Sequence, residues 1–134
     1  MIKLLIGRPG SGKTKDMIAD ANKALSTAKG NIVFVGESKE SMLEINHDIR
    51  YIDISDYPVD SSNTFIAFLY GLVGSNNDLE TIYLDGILNV YIMTPEEICA
   101  WLDRVKELSE KHEVDFEISI SVPGDTPECL KAFM

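Results

Sequence analysis

Eight consecutive residues combine small, cationic and hydroxyl side chains in a fixed order: Gly7-Arg8-Pro9-Gly10-Ser11-Gly12-Lys13-Thr14. Glycines let the backbone turn so that several amide N–H groups point inward and form a nest for an anion. A helix beginning at the end of this loop aims the positive end of its dipole at the same point. Lys13 would then reach the β- and γ-phosphates of a nucleotide, and the Thr14 hydroxyl would ligate Mg²⁺. The loop therefore predicts a binding site for a purine nucleoside triphosphate with Mg²⁺.

The segments on either side of the loop support this prediction. Residues 2–6 form a short apolar run, which we interpret as a buried first strand. Residues 13–28 place apolar side chains at helical spacing and predict an amphipathic helix. The loop matches the pattern G-x-x-x-x-G-K-[ST], the P-loop, in the strand–loop–helix context that the pattern requires. We therefore predict that all eight residues from 7 to 14 bind the nucleotide.

A second candidate for the site is Asp85, which follows the apolar segment Ile82-Tyr83-Leu84. A buried strand that ends in aspartate resembles a Walker B element, whose carboxylate holds a water molecule on the Mg²⁺. Strands also end in aspartate for reasons of turn geometry, and that alternative stays open here. In the presence of the P-loop we favour a metal site made by Thr14 and Asp85, with Lys13 and Asp85 in catalytic roles.

The chain alternates short apolar runs with helical patterns, which is typical of α/β layering. Five strands are predicted at residues 2–6, 32–35, 50–54, 81–84 and 116–122. Thr94, Pro95 and Glu97 predict the start of a long helix through a capping box, and Trp101 is predicted to lie in its core face. The expected fold is a three-layer α/β/α sandwich with a mainly parallel five-stranded sheet. It corresponds to the P-loop NTPase fold and forms one domain over residues 1–134.

The strand order suggests which kind of P-loop protein this is. A strand carrying Ser119 and Ser121 follows Asp85, as in the large division of P-loop ATPases in which an extra strand separates the two motif strands. We predict Ser121 as a polar sensor of the γ-phosphate, although an ordinary strand with one polar face would give the same pattern. Gly86 stands where many hydrolytic members carry a glutamate, which argues for slow hydrolysis. Glu37, at the tip of the second strand, is the alternative catalytic base, or else a solvated loop carboxylate.

The supply of arginine bears on the choice between a kinase and other functions. Arg8, Arg50 and Arg104 are the only arginines in the chain. A nucleotide kinase generally clamps two anionic substrates with several arginines beneath a lid, so a kinase is the less favoured alternative. A GTPase is disfavoured because the guanine-reading sequence Asn-Lys-x-Asp does not occur. ATP with Mg²⁺ is therefore the expected ligand.

His47, Asp48 and Arg50 form a compact charged group before the third predicted strand. Arg50 could reach a γ-phosphate, in the same chain or from a neighbouring subunit, with His47 and Asp48 orienting it. Local charge pairing at a loop-to-strand transition is the simpler interpretation, since exposed ion pairs are common and individually weak. We favour the simpler interpretation.

Taken together, several segments resemble a group of short P-loop ATP-binding proteins of clostridia and related bacteria, within the P-loop NTPase superfamily. The segments that carry the resemblance are residues 2–15, 47–50, 84–86 and 114–121. The resemblance implies the fold and a nucleotide ligand. It leaves the biological pathway open.

Composition limits the other partners. The 22 acidic and 12 basic residues give a net charge of −10, which disfavours nucleic acids and anionic membrane surfaces as partners. No apolar run approaches the roughly 20 residues that a membrane-spanning helix needs, so we expect a cytoplasmic protein. The two cysteines, Cys99 and Cys129, do not suggest a disulfide framework. Cys99 is expected to behave as a small core or boundary residue.

Three functions are compatible with these residues. The favoured one is an ATP-binding switch or assembly subunit with slow or partner-stimulated hydrolysis, so the chain is a candidate ATPase. The second is phosphoryl transfer to a small acceptor or nucleotide. The third is an interaction module that holds nucleotide only as a structural ligand, with residues 127–134 as a docking surface. A protein partner or a homo-oligomer fits the first and third functions.

Overall fold

The computed structural model describes residues 1–8, 10–86, 94–122 and 124–133. Its five strands are β1 (Ile2–Gly7), β2 (Asn31–Gly36), β3 (Arg50–Asp53), β4 (Leu79–Leu84) and β5 (Asp115–Ser121). Its helices are α1 (Lys13–Leu25), α2 (Lys39–Met42), α3 (Ser62–Ser75), α4 (Pro95–His112) and α5 (Glu128–Lys131), with a 3₁₀ turn at Ile54–Asp56. The strands form one sheet in the order β1-β5-β4-β2-β3, and every pair is parallel. The α/β prediction is confirmed, and the sheet is wholly rather than mainly parallel.

Apolar side chains cover both faces of this sheet, because successive residues of a strand point to opposite sides. On one face, Met17, Ile18 and Ala21 of α1 pack with Ile32 and Phe34 of β2. On the other face, α3 and α4 contribute side chains to the larger core cluster, which are Phe65, Ile66, Leu69, Val73, Ile98, Trp101, Leu102, Val105 and Leu108. This arrangement is consistent with a three-layer sandwich. Trp101 is 1% exposed, as its position on the predicted core face required.

Local sequence signals set the helix boundaries. At the start of α4 the Thr94 hydroxyl accepts a hydrogen bond from the Glu97 amide at 3.2 Å, and the Glu97 carboxylate accepts one from the Thr94 amide at 3.3 Å. The predicted capping box is therefore confirmed. Helix α1 ends at Leu25 rather than at residue 28, because Ser26 and Thr27 turn the chain through hydrogen bonds to backbone carbonyls.

The prediction that residues 2–6 form a buried strand is wrong in one respect. Strand β1 lies at the edge of the sheet that the structure describes, where it pairs with β5, and Leu4 is its one fully buried side chain. Five consecutive apolar residues suit a central strand and an edge strand flanked by helices equally well. Sequence periodicity cannot distinguish these two positions.

The expectation that the two cysteines are unpaired is also wrong. Cys99 in α4 and Cys129 in α5 form a disulfide, with their Cα atoms 6.1 Å apart. This Cα distance lies within the range that disulfides normally adopt. The pairing was not visible in the sequence because 30 positions separate the two residues and α5 must first fold back onto α4. The disulfide fastens the last described helix to the main body of the fold.

Loss of this disulfide is expected to lower the free energy of unfolding by about 2–4 kcal/mol, because the cross-link restricts the unfolded chain. The measurement is urea unfolding of the oxidised protein with and without a reducing agent. A Cys99→Ser/Cys129→Ser variant serves as the control and should show one midpoint under both conditions. Equal midpoints for the oxidised and reduced wild-type protein would contradict the prediction.

Among the described residues, no helix has the length and apolar character needed to cross a membrane.

Candidate functional site

The candidate site lies where the strands end. In a parallel sheet all carboxyl ends lie along one edge, and ligands of open α/β folds bind outside that edge. The predicted loop begins at Gly7, the last residue of β1, while Glu37 follows β2 and Asp85 follows β4. The all-parallel topology therefore brings the predicted loop and both predicted acidic residues to the same edge of the sheet.

The glycine loop has the backbone geometry that its sequence predicts. Gly10 and Gly12 have φ angles of 79° and 88°, in the left-handed region that side chains disfavour. Gly12 is the residue directly before α1. A Cβ atom on Gly7 would lie 2.7 Å from the Ser11 hydroxyl oxygen, so the loop closes tightly over its own start. Pro9 lies outside the described residues.

Lys13 extends across this loop. Its ammonium donates hydrogen bonds to the Arg8 carbonyl oxygen at 2.8 Å and to the Ser11 hydroxyl at 3.2 Å. Both acceptors are neutral, so these contacts place a positive charge over the loop without neutralising it. A phosphate group in the loop would offer this ammonium a stronger, charge-assisted hydrogen bond.

Thr14 and Asp85 meet although 71 positions separate them in the sequence. The Thr14 hydroxyl donates to Asp85 Oδ2 at 2.8 Å. The Asp85 side chain is largely withdrawn from water, with 7% of the residue exposed. A hydroxyl and a carboxylate at this spacing supply the oxygen ligands that Mg²⁺ prefers. The structure therefore brings together the two residues that the sequence predicted as metal ligands.

Ser119 holds the other oxygen of the same carboxylate. Its hydroxyl donates to Asp85 Oδ1 at 2.5 Å and accepts a hydrogen bond from the Gly86 amide at 3.3 Å. Because β5 lies between β1 and β4, Ser119 reaches Asp85 from the neighbouring strand. Buried polar groups are normally paired in this way, and the two bonds fix the orientation of the carboxylate. Sequence analysis placed Ser119 on the polar side of its strand but did not assign it to Asp85.

The predicted sensor, Ser121, lies at the end of β5. It is opposite Gly7 in the register between β5 and β1, and the next amide, that of Val122, donates to the Gly7 carbonyl at 3.0 Å. Ser121 is therefore adjacent to the start of the loop, where a role towards a bound phosphate stays a prediction. Only the pairing of strands could show which serine faces Asp85.

Glu37 lies beside Gly86, the residue that follows Asp85. Gly86 has a φ angle of 71°, and a Cβ atom built on it would lie 2.9 Å from the Glu37 carboxyl carbon. The positive φ disfavours any other residue at Gly86, and a side chain there would push the Glu37 carboxylate aside. The chain places its acidic side chain at the end of β2 and leaves the position after Asp85 without one.

The charged group before β3 does not join the site. Arg50 begins β3 and pairs with Val33, so it lies towards the amino-terminal edge of the sheet, away from the loop. His47 and Asp48 form an exposed ion pair with a distance of 3.5 Å. Arg104 donates to Asn63 at 2.6 Å, a contact between α4 and α3. The favoured interpretation of local charge pairing therefore agrees with the structure, and Arg50 does not reach the loop of its own chain.

Comparisons with known proteins add no assignment. A scan against protein-family models finds no match, and no curated protein matches the chain. Within the described residues, no group of three or more His, Cys, Asp and Glu side chains could hold a metal ion. A Mg²⁺ ion bound through one hydroxyl, one carboxylate, water and phosphate oxygens does not need such a group. A function for this chain is therefore inferred from the geometry of the loop and of the residues that contact it.

Proposed function

We propose that this chain is a P-loop nucleotide-binding domain that takes ATP with Mg²⁺ between the loop of residues 7–14 and Asp85. The single observation that carries the proposal is the 2.8 Å contact between the Thr14 hydroxyl and the Asp85 carboxylate. The position of β5 between β1 and β4 supports a place in the P-loop division with an extra strand between the two motif strands. The same features favour kinship with the short clostridial P-loop proteins.

Each residue of the site has a distinct part in this proposal. The amides of the glycine loop and the start of α1 hold the phosphate oxygens. Lys13 leaves its neutral acceptors for the β- and γ-phosphates, while Thr14 and Asp85 hold the metal directly or through water. Ser119 keeps the Asp85 carboxylate in place. Bound Mg²⁺ supplies charge neutralisation at the phosphates.

Slow or partner-stimulated hydrolysis is the activity that this arrangement favours. Glu37 is the carboxylate that lies next to the position following Asp85, so it is the candidate to orient an attacking water. Rapid P-loop enzymes add to the loop lysine an arginine from outside the loop that stabilises the transition state. Here Lys13 extends over the loop, while Arg50 begins β3 and Arg104 contacts α3. We propose that a protein partner or a second copy completes the site, as in a switch or an assembly subunit. A cytoplasmic location, which supplies both ATP and Mg²⁺, belongs to the same proposal; in that reducing compartment the Cys99–Cys129 pair would be held largely as thiols.

The test is calorimetric titration of the protein with ATP in the presence of Mg²⁺ and in the presence of a chelator. We expect saturable binding that weakens when the metal is removed and that exceeds binding of GTP. A turnover assay on the same sample separates the functions. Free phosphate without an acceptor supports a hydrolase, and phosphate on an added acceptor alone supports a kinase. Stable binding without turnover supports an interaction module, while absence of binding under all conditions contradicts the proposal.

Replacing Glu37 with glutamine is expected to lower the rate of phosphate release about 10²-fold while leaving the affinity for ATP within a factor of about two, because a general base acts mainly in the transition state. The amide keeps the size of the side chain beside Gly86, so the local packing is preserved. The matched control is Glu40→Gln in α2, an exposed glutamate near the same edge of the sheet. Equal turnover in the two variants would remove Glu37 from the mechanism.

A further inference from the structure

A second group of charged side chains lies on the α1 face of the sheet. It is near the amino-terminal ends of β1 and β5, whereas the loop follows the carboxyl end of β1. Lys3 of β1 and Glu117 of β5 are opposite each other in the strand register, and Asp20 of α1 lies above them. The Lys3 ammonium is 3.3 Å from Glu117 Oε1 and 3.6 Å from Asp20 Oδ2. We call these three residues the lysine–dicarboxylate cluster. It joins the two strands to the helix that carries the P-loop threonine.

The cluster contains an unsatisfied buried oxygen. Glu117 Oε2 is buried and has no hydrogen-bond partner among the described residues, and the Glu117 side chain is 9% exposed. An unpaired carboxylate oxygen in such a position is costly. The Asp20 carboxyl group lies within hydrogen-bonding reach of Glu117. Two ionised carboxylates can only accept hydrogen bonds. With a proton on Glu117, its carboxyl group could donate a hydrogen bond to the Asp20 carboxylate, and the buried oxygen would gain a partner.

The net charge of the cluster also favours a proton on one of its carboxyl groups. One ammonium faces two carboxylates, so the cluster is neutral only when one carboxyl group is protonated. Burial, followed by the hydrogen bond that protonated Glu117 donates to Asp20 and by the charge of Asp20, raises the pKa of Glu117 to about 7, against the opposing effect of Lys3. The neighbouring charge of Glu117 in turn raises the pKa of Lys3. The proton on Glu117 is therefore exchanged within the physiological range of pH.

Other titratable groups face this position from β4 and from the ends of the strands. Tyr83 lies opposite Glu117 in the register between β4 and β5, and burial raises its pKa to about 12. Asp115 and Glu80 act on Tyr83 through their charges, more weakly than Glu117 does. Tyr83 stays neutral at any pH of interest, and both carboxylates add negative charge. Among the neighbours of Glu117, Asp20 favours its protonation and Lys3 opposes it.

Both elements that carry the cluster also carry the candidate site. Asp20 follows Thr14 on α1 by six positions, a rise of about 9 Å along a helix. Glu117 precedes Ser119 on β5 by two positions, about 7 Å along a strand and on the same face. Thr14 and Ser119 are the two side chains that hold the oxygens of Asp85. A change in the distance between α1 and β5 at the cluster would therefore reach both sides of Asp85.

We propose that Glu117 is a proton-linked positioning residue: a proton taken up from solvent lets Glu117 donate to Asp20, which draws α1 towards β5 and sets Thr14 and Ser119 around Asp85 for Mg²⁺–nucleotide binding. This inference rests on the proposed function. Loss of the proton leaves two carboxylates facing each other across α1 and β5, and their repulsion opposes the contact geometry. Nucleotide binding is therefore tighter with Glu117 protonated, and it weakens as pH rises through the Glu117 titration.

The experiment measures the affinity for Mg²⁺–ATP by calorimetry between about pH 6 and about pH 8.5, a range that spans the titration of Glu117. In the wild-type protein we expect the dissociation constant to rise at least about fivefold, the lower end of typical coupling between sites. In Glu117→Gln this component of the profile should vanish, because glutamine cannot release a proton. Glu107→Gln, an exposed change on α4 at the opposite face, is the matched control and should keep the wild-type profile.

Two further variants test the direction of the coupling. Asp20→Asn removes a group that raises the pKa of Glu117, so the midpoint should move to lower pH. Lys3→Met removes the group that lowers it, so the midpoint should move to higher pH. A proton-linked cluster should shift the pH midpoint in opposite directions in the two variants. If the cluster had only a structural role, the two variants would not shift the midpoint in opposite directions. An unchanged profile in Glu117→Gln, or equal shifts in both variants, would overturn the inference.

A measurement without nucleotide separates this inference from the proposed function. The amide chemical shifts of Thr14 and Ser119 are followed by NMR over the same range of pH in the nucleotide-free protein. We expect both amides to titrate with the midpoint of Glu117 and to lose that titration in Glu117→Gln. If the wild-type protein binds no ATP but these amides titrate, the proposed function fails while the positioning role of the cluster stands. Amides that do not respond overturn the cluster's role whether or not ATP binds.

Discussion

Replacing Lys13 with alanine is expected to weaken Mg²⁺–ATP binding by a factor of about 100 or more. The lysine extends over the loop and is held there by the neutral oxygens of Arg8 and Ser11. On binding, its ammonium would exchange these acceptors for charged phosphate oxygens. Hydrogen bonds to charged groups contribute about 1.5–3 kcal/mol each, and two of them correspond to about two to four powers of ten in affinity. Titration calorimetry of both proteins under identical conditions measures the difference.

Two controls show whether this effect belongs to the loop. Lys23→Ala removes the same charge from the last turn of α1 and should leave the affinity nearly unchanged, since exposed charges at that distance are screened. Lys13→Arg keeps the charge but brings a planar, bulkier group into the tight loop, so we expect partial binding at most. Lys13→Ala should unfold at the same urea concentration as the wild type. Wild-type affinity in Lys13→Ala would refute the assignment of the loop.

Replacing Asp85 with asparagine is expected to remove most of the effect of Mg²⁺ on nucleotide affinity. Asparagine keeps the shape of the side chain, but it loses the negative charge and replaces one acceptor oxygen with a donor. Thr14 and Ser119 both donate to Asp85 in the structure, so one of them would face a donor in the variant. We expect the ratio of affinities with and without Mg²⁺ to fall at least about tenfold, or about 1.4 kcal/mol. The free energy of unfolding should also fall by about 1–3 kcal/mol because a buried polar group loses its partner.

A double-mutant cycle distinguishes the metal site from ordinary packing. Thr14→Val removes the hydroxyl with little change in shape, and combining it with Asp85→Asn tests whether the two residues act together. We expect a coupling free energy above about 0.5 kcal/mol for nucleotide binding with Mg²⁺ and a smaller one without the metal. Ser121→Ala, at the end of the same sheet edge, provides a comparison in which Asp85 keeps both contacts. Additive effects in the presence of Mg²⁺ would show that Thr14 and Asp85 do not share a ligand.

The difference between sequence and structure is clearest at Asp85. Residue types and their order were sufficient to predict the loop of residues 7–14, the strand that precedes Asp85 and the capping box at Thr94. These are local features, in which each residue acts on neighbours a few positions away. The identity of the serine that contacts Asp85 was not local. It depends on β5 pairing between β1 and β4, and alternation along β5 leaves Ser119 and Ser121 equivalent.

The contact between Glu37 and Gly86 also joins segments that are distant in the sequence. The glycine after Asp85 looked like the loss of a catalytic carboxylate, because the sequence shows only which residue follows which. The structure places the Glu37 side chain in the space that a residue larger than glycine would take. Two segments at the ends of neighbouring strands thus share one volume. The sequence of neither segment predicts that the other lies beside it.

By itself, the amino-acid sequence determined the α/β class, the order of its elements, and the glycine loop with its lysine and threonine. Propensity, capping and apolar periodicity act over a few residues and can be recognised wherever they occur. Only the tertiary structure decided that β1 lies at a sheet edge, that Cys99 and Cys129 are joined, and that Lys3, Asp20 and Glu117 meet. Each of these outcomes requires segments distant in the chain to pack in one register. The free energy of that packing depends on contacts throughout the fold, so it cannot be predicted from any short stretch of sequence.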